Sequence, residues 1–174
     1  MNGRAVLLWG FASTLCLTSL SSASQALGLT RIDLPFILGT MVTPNRDRAK
    51  FVGFLMHLVN GWLFALLYVL YFRSLKLATW WLGMGIGLVH SIFVLIVAMP
   101  LLPGLHPRMV SEYAGPEPTR QLEPPGFMAL NYGSRTPVSM ILVHLVFGAI
   151  LGAFYRDGST RTAGPGALFD RLKG

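Results

Sequence analysis

His57-Leu58-Val59-Asn60-Gly61, continued by Trp62 to Tyr68, returns later in the chain as His144-Leu145-Val146-Phe147-Gly148, continued by Ala149 to Tyr155. His, Leu, Val, Gly and Tyr stand at the same offsets in both copies. At about 100° per residue, these offsets fall on one narrow stripe of an α-helix. The stripe is His57, Gly61, Ala65 and Tyr68 in the first copy and His144, Gly148, Gly152 and Tyr155 in the second. Each copy is a run of small residues that lets another helix approach closely, with a histidine at one end and a tyrosine at the other. Both copies lie inside apolar runs of about 20 residues, enough to cross a bilayer.

Working outward from them, the same kind of run occurs four times, over about 5–28, 50–72, 79–102 and 137–155, leaving a loop at 103–136 and a tail at 156–174. The chain is 53% hydrophobic and 12% charged, against roughly 25% charged residues in soluble domains. The expected fold class is therefore all-α, an integral membrane four-helix bundle forming a single transmembrane domain over residues 1–174. The net charge of +7 does not point to nucleic acid, because the basic residues are scattered between apolar runs and form no tract. Anionic lipid headgroups are the partner this distribution suits. Cys16 is the sole cysteine, which excludes an internal disulfide framework and a cysteine-based zinc site.

The first run, opening with Arg4 and turning small and polar at Ser21 to Gln25, has the outline of a signal peptide. Its continuation through Ala26 and Leu27 makes it long enough to span, and we expect a retained helix. Thr14, Thr18, Ser21 and Gln25 recur at helical spacing and predict a polar face packed on other helices. Leu34 to Val42 is apolar but too short to span, so it should lie at the interface or dip partly into the bundle. The few residues around Arg73 and Lys76 predict that the second and third spans are antiparallel neighbours, with Tyr71, Trp80 and Trp81 in an aromatic belt. The proline-rich loop should form an ordered cap anchored by Met109, Tyr113, Leu122, Phe127 and Leu130, with Arg108 and Arg120 paired to Glu112, Glu117 and Glu123. The tail suggests a solvated end with a short amphipathic turn at Ala167 to Leu172.

Arg48 and Arg135 align at the repeat spacing, so the chain reads as two repeated helix hairpins, first with second and third with fourth. The third span carries Gly83, Gly87 and His90 on one stripe in the opposite direction, and this brings its histidine toward the long-loop side as well. His57, His90 and His144 are thereby candidate cofactor ligands, and His106 with Met109 a candidate metal pair. Six methionines lie toward the same side, and imidazole with thioether suits copper or haem iron. The plainer alternative is that the histidines bond backbone carbonyls or Asn60 across helix interfaces. Tyr68 and Tyr155 are expected as interface anchors. Gly61, Ala65, Gly83, Gly87, Gly148 and Gly152 are the expected packing positions. No Ser-His-Asp order, HExxH helix, phosphate loop or paired intramembrane carboxylates occur, so an enzyme is not the expected class.

The strings Thr43-Pro44-Asn45-Arg46-Asp47-Arg48-Ala49-Lys50, His57-Leu58-Val59-Asn60-Gly61, His106-Pro107-Arg108-Met109, Leu122-Glu123-Pro124-Pro125-Gly126-Phe127 and Asn131-Tyr132-Gly133 resemble a group of small bacterial four-span proteins, a domain of unknown function. The resemblance covers roughly Leu29 to Tyr155 and implies a bacterial inner-membrane protein. It supplies no activity and no binding residues. The basic residues divide evenly between the two sides, and the greater weight of short flanking segments favours both termini in the cytoplasm. Three functions stay open: a non-enzymatic accessory or structural subunit meeting other membrane subunits or a second copy, a haem- or copper-binding redox protein, and a small transporter or proton-linked channel.

Overall fold

The structure is a computed structural model that describes residues 1–111, 119, 121–158 and 160. Helices α1 (Gly3–Ala26), α2 (Leu34–Val42), α3 (Arg46–Ser74), α4 (Trp80–Phe93), α5 (Met99–Leu105) and α6 (Thr136–Phe154) make an all-α bundle, with a π-helical segment at Val94–Ala98 joining α4 to α5. Among the described residues there is no strand, only an isolated bridge between Met109 and Leu122. Four helices are long and apolar enough to cross a membrane, namely Gly3–Ala26, Arg46–Ser74, Trp80–Leu105 and Thr136–Phe154. The protein is a multi-pass membrane protein.

Local chemistry sets the ends of these helices. Asn2, Asp33, Asn45 and Thr79 each accept a hydrogen bond from a first-turn backbone N–H, satisfying donors that have no intrahelical partner. Asn45 starts α3 at Arg46, earlier than the apolar run alone indicates. α3 closes at Leu75 and Lys76, where Leu77 N–H bonds the Phe72 carbonyl and Lys76 takes the left-handed conformation usually given to glycine. The third span continues to Leu105 rather than ending near residue 102. Its prolines at 100 and 103 do not stop it. Pro100 has no N–H to offer, and just upstream the backbone widens so that Met99 N–H reaches the Val94 carbonyl, five residues back.

α6 is the hub, packing on both α4 and α1, while α1 also packs on α3 and α2 lies against α3. The pairing of first with second span and third with fourth is thus present. α3 and α4 depart from expectation: the short turn makes them successive, yet they meet through large side chains rather than through closely apposed backbones. Where backbones do touch, glycines are the reason. A Cβ on Gly83 would strike the Gly148 carbonyl, one on Gly148 the Gly83 carbonyl, one on Gly152 the Thr79 carbonyl and one on Gly87 the His144 carbonyl. Gly61 instead faces the Thr14 side chain of α1, and Ala65 is fully buried beside Gly10. α2 is seated on α3 by the same device, since Gly39 abuts the Ala49 backbone and Gly53 the Pro35 backbone.

Two apolar clusters fill the interior. One, at the end holding the start of α1, the end of α6 and the α3–α4 turn, contains Tyr68, Val69, Phe72, Phe147, Leu151 and Tyr155. The other, under the long loop, contains Ile37, Leu95, Met99, Met109, Tyr132 and Met140. The described parts of the loop therefore form a cap held by Met109, which is fully buried, by half-buried Leu122 and by Tyr132, whose hydroxyl donates to the Glu123 carbonyl at 2.6 Å. Burial, with the Glu123 carboxylate adding to it, pushes the Tyr132 phenol up to about 12, so it remains a donor. Phe127 and Leu130, expected as anchors, are exposed. Glu123 pairs with Arg31 at 3.2 Å, and Arg108 donates to the Thr40 carbonyl; among the described residues Arg108 pairs with no carboxylate. Tyr113, Glu112, Glu117, Arg120 and the turn expected at residues 167–172 lie outside the described residues.

Candidate functional site

The predicted inward face of α1 is present. Thr14 is buried, Thr18 donates to the Thr14 carbonyl, and Gln25 donates to the Ile32 carbonyl at 2.6 Å. Beside this face, between the two apolar clusters, lies a cavity of about 180 Å³. His57, His90 and His144 all line it, from α3, α4 and α6, together with Thr14 and Asn60 and the rings of Phe64, Phe93 and Phe147. The sequence-derived convergence of three histidines is therefore a property of the fold.

Each imidazole is held differently. His144 Nδ1–H donates to the Met140 carbonyl one turn back at 2.7 Å, which leaves Nε2 as an acceptor. His90 Nδ1 lies 3.2 Å from the Tyr68 hydroxyl, and its ring stacks on Phe64 with centroids 3.8 Å apart. His57 makes no hydrogen bond among the described residues, while every buried side-chain nitrogen or oxygen among them has a partner. The His57 ring nitrogens consequently face open space. Tyr68 is a correction to the sequence reading: it is 1% exposed and serves His90 inside the core, where an interface anchor was expected. Tyr155 is likewise buried, at the end of α6, with its hydroxyl donating to Asp157.

The haem and copper readings find little purchase in this geometry. The His90 and His144 rings touch edge to face, with centroids 4.6 Å apart, so no macrocycle fits between them. The cavity is also smaller than the roughly 300–1,000 Å³ clefts that hold drug-sized molecules. Among the described residues, no group of three His, Cys, Asp or Glu side chains is disposed to hold a metal ion. Met99 lines the cavity, whereas Met109 and Met140 are packed in the apolar cluster below the cap. Tyr68, Phe147 and Leu151 fill the core beside the histidines.

His106 stands apart from the other three. Its Nε2–H donates to the Ile37 carbonyl at 3.0 Å and its Nδ1 accepts from Arg108 N–H at 3.1 Å, so both nitrogens are engaged and neither is turned to Met109 as a ligand. This histidine clamps the cap to α2. Burial holds its pKa below the ordinary value; the Ile37 carbonyl works against that shift and the Arg108 charge with it. A base whose folded pKa lies below its unfolded value of about 6.5 contributes stability above that pH and loses it as pH falls through the folded value. The protection of the Val110 and Leu122 amides, which bond the Leu122 and Arg108 carbonyls across the cap, measured as exchange relative to the intrinsic rate at each pH, should therefore fall between about pH 7 and pH 5. In His106→Gln that fall in protection should disappear, and an equally steep pH response would exclude this clamp as its source.

Sequence reasoning missed three parts of the site. The π segment places Val94 and Ala98 in the cavity wall, and its only signal was Pro100. α2 contributes Leu34 and Leu38, and its docking was signalled by Gly39 and Gly53. Asn60 and Phe93 are exposed and also line the cavity, so the cavity opens onto the outer surface of the bundle. Comparison with known proteins returned no matching family model, no similar curated protein and no similar solved structure.

Proposed function

We propose that this chain is a non-enzymatic membrane protein that binds an uncharged, hydrogen-bonding group of a lipid-soluble molecule in the three-histidine cavity. Its setting in this reading is the bacterial inner membrane, with both termini in the cytoplasm. One observation carries the proposal: imidazole nitrogens of His57 and His144 that have no partner among the described residues border a cavity that no described Lys, Arg, Asp or Glu lines. Free donors and acceptors in an apolar chamber select a ligand that supplies the complementary polar atoms, while a charged one would be desolvated without a counter-charge. The volume matches about six waters or one substituted ring.

Tetramethylhydroquinone, kept reduced, is a suitable probe of the chamber, being neutral, ring-sized and equipped with two hydroxyls, one able to donate to His144 Nε2 and the other to bond the free His57 imidazole. At about a hundred times its Kd it should raise the thermal midpoint of the purified protein by about 5–10 °C. His57→Leu, which keeps an apolar side chain of similar bulk, should abolish the rise. No shift in the parent protein, or an undiminished shift in His57→Leu and His144→Leu, would overturn the proposal.

Asn60 favours a second reading, as an accessory subunit. It is exposed in mid-span and has no hydrogen bond among the described residues, and an amide there is a good handle for a neighbouring helix. A cross-linker placed at Leu63 in native membranes should then trap one adduct of constant mass, lost in Asn60→Leu.

A further inference from the structure

We propose that the molecule held in this cavity is an isoprenoid quinone or quinol, with its ring among the histidines and its polyprenyl tail in the lipid-facing groove between α3 and α4. The inference rests on the reading of the cavity as a binding site and adds the class of ligand and its route of entry. A groove of about 290 Å³ separates α3 from α4 on the outer surface. It exists because these two helices are joined by a short turn but splay apart, meeting through side chains alone. Its rim is apolar and exposed, formed by Leu67, Tyr71, Val89 and Phe93.

Groove and cavity are adjoining spaces. Phe64, His90 and Phe93 line both, so the Phe64–His90 stack is the partition between them. A side-chain rotation at that stack would join the ring-sized, histidine-bearing chamber to a tail-sized apolar channel. The chamber has room for one ring and none for a chain, so a long tail extends out of it, and the groove behind the shared wall is the tail-sized apolar space beside it. Phe64, Phe93 and Phe147 offer flat faces to a planar ring, and His57 and Asn60 supply donors for its oxygens. Fatty acids and phospholipids fit poorly, because no described Lys or Arg lines either space.

The test uses decylubiquinone bearing a diazirine at the end of its chain, with the methyl-chain analogue as competitor, on the full-length protein in lipid nanodiscs. Photolabelling should fall on the α3 and α4 peptides containing Leu67 and Val89 and should be competed by the methyl-chain analogue. Val89→Trp fills the groove from a lipid-facing position, so folding is not at stake. It should remove that labelling while leaving binding of the methyl-chain analogue intact. Labelling elsewhere, or labelling that Val89→Trp does not change, would overturn the quinone-tail inference yet leave the cavity a binding site. Failure of the methyl-chain analogue to bind at all would overturn both.

Discussion

Gly83→Ala and Gly148→Ala should each sharply reduce the yield of folded protein, whereas Gly85→Ala on the same helix should be neutral or slightly stabilising. The contrast follows from what a single methyl would meet. At Gly83 and at Gly148 it would strike the opposing backbone carbonyl, which no rotamer change can move aside. The only relief is to part α4 from α6, and the parting would be felt along the entire seam, because Gly87 and Gly152 sit at the same close approach. Overpacking a core costs about 1–3 kcal/mol where side chains can yield, and here a pair of backbones must move, so the upper end or beyond is expected. At Gly85 a Cβ meets nothing within 4 Å, and replacing an exposed helical glycine by alanine is worth about 0.5–1 kcal/mol in the helix's favour. Monodisperse yield after detergent extraction and the thermal midpoint measure both. Equal behaviour of the Gly83 and Gly85 variants would show that the glycine seam does not hold the bundle together.

That seam was legible in the sequence because its chemistry is local and periodic. Small residues four apart on two apolar helices admit few other uses, and so the bundle, its packing positions and the histidine convergence all follow from a one-dimensional pattern. What the pattern left out is instructive. The separation of α3 from α4 depends on Phe64, Tyr68 and His90 filling the space between them, and nothing in a list of apolar residues says which large side chains face each other. The burial of Tyr68 has the same origin: its distance from the helix end suggested an interface, but its partner is fixed by the register of a different span. The π segment is a third case, since a proline announces a disturbance without saying whether the helix ends or widens. The partner of Glu123 is hidden from the sequence for a simpler reason. Arg31 precedes Glu123 by most of the chain, and only the fold brings the α1–α2 connection beneath the loop, where Thr30 and Thr136 also share a hydrogen bond at 2.7 Å.

The opposite end of the molecule makes the second large prediction. Asp157→Ala should destabilise the protein by about 2–3 kcal/mol and should loosen α1 and the α3–α4 turn together. Its carboxylate is 7% exposed and collects charges and donors from three directions: Arg73 at 2.8 Å from the turn, the Tyr155 hydroxyl at 2.7 Å from the end of α6, and the N-terminal amino group of Met1 at 4.0 Å. Asn2 N–H adds a weak bond to the same Tyr155 hydroxyl at 3.4 Å. The arrangement fastens three span ends with one buried acceptor, so deleting it leaves Arg73 half-buried beside a hydroxyl with no anion. The figure is kept modest because the Arg73 side chain is 35% exposed and water screens part of the attraction. Arg73→Ala should cost less than Asp157→Ala, since it removes only one of the carboxylate's partners. The two losses together should be smaller than their sum, as befits residues in direct contact. Amide exchange in the first turn of α1 distinguishes this clasp from an incidental ion pair: faster exchange there in Asp157→Ala, far away in sequence at the other end of the described chain, is the expected sign, and unchanged exchange with a lowered midpoint would restrict the role of Asp157 to the turn and α6.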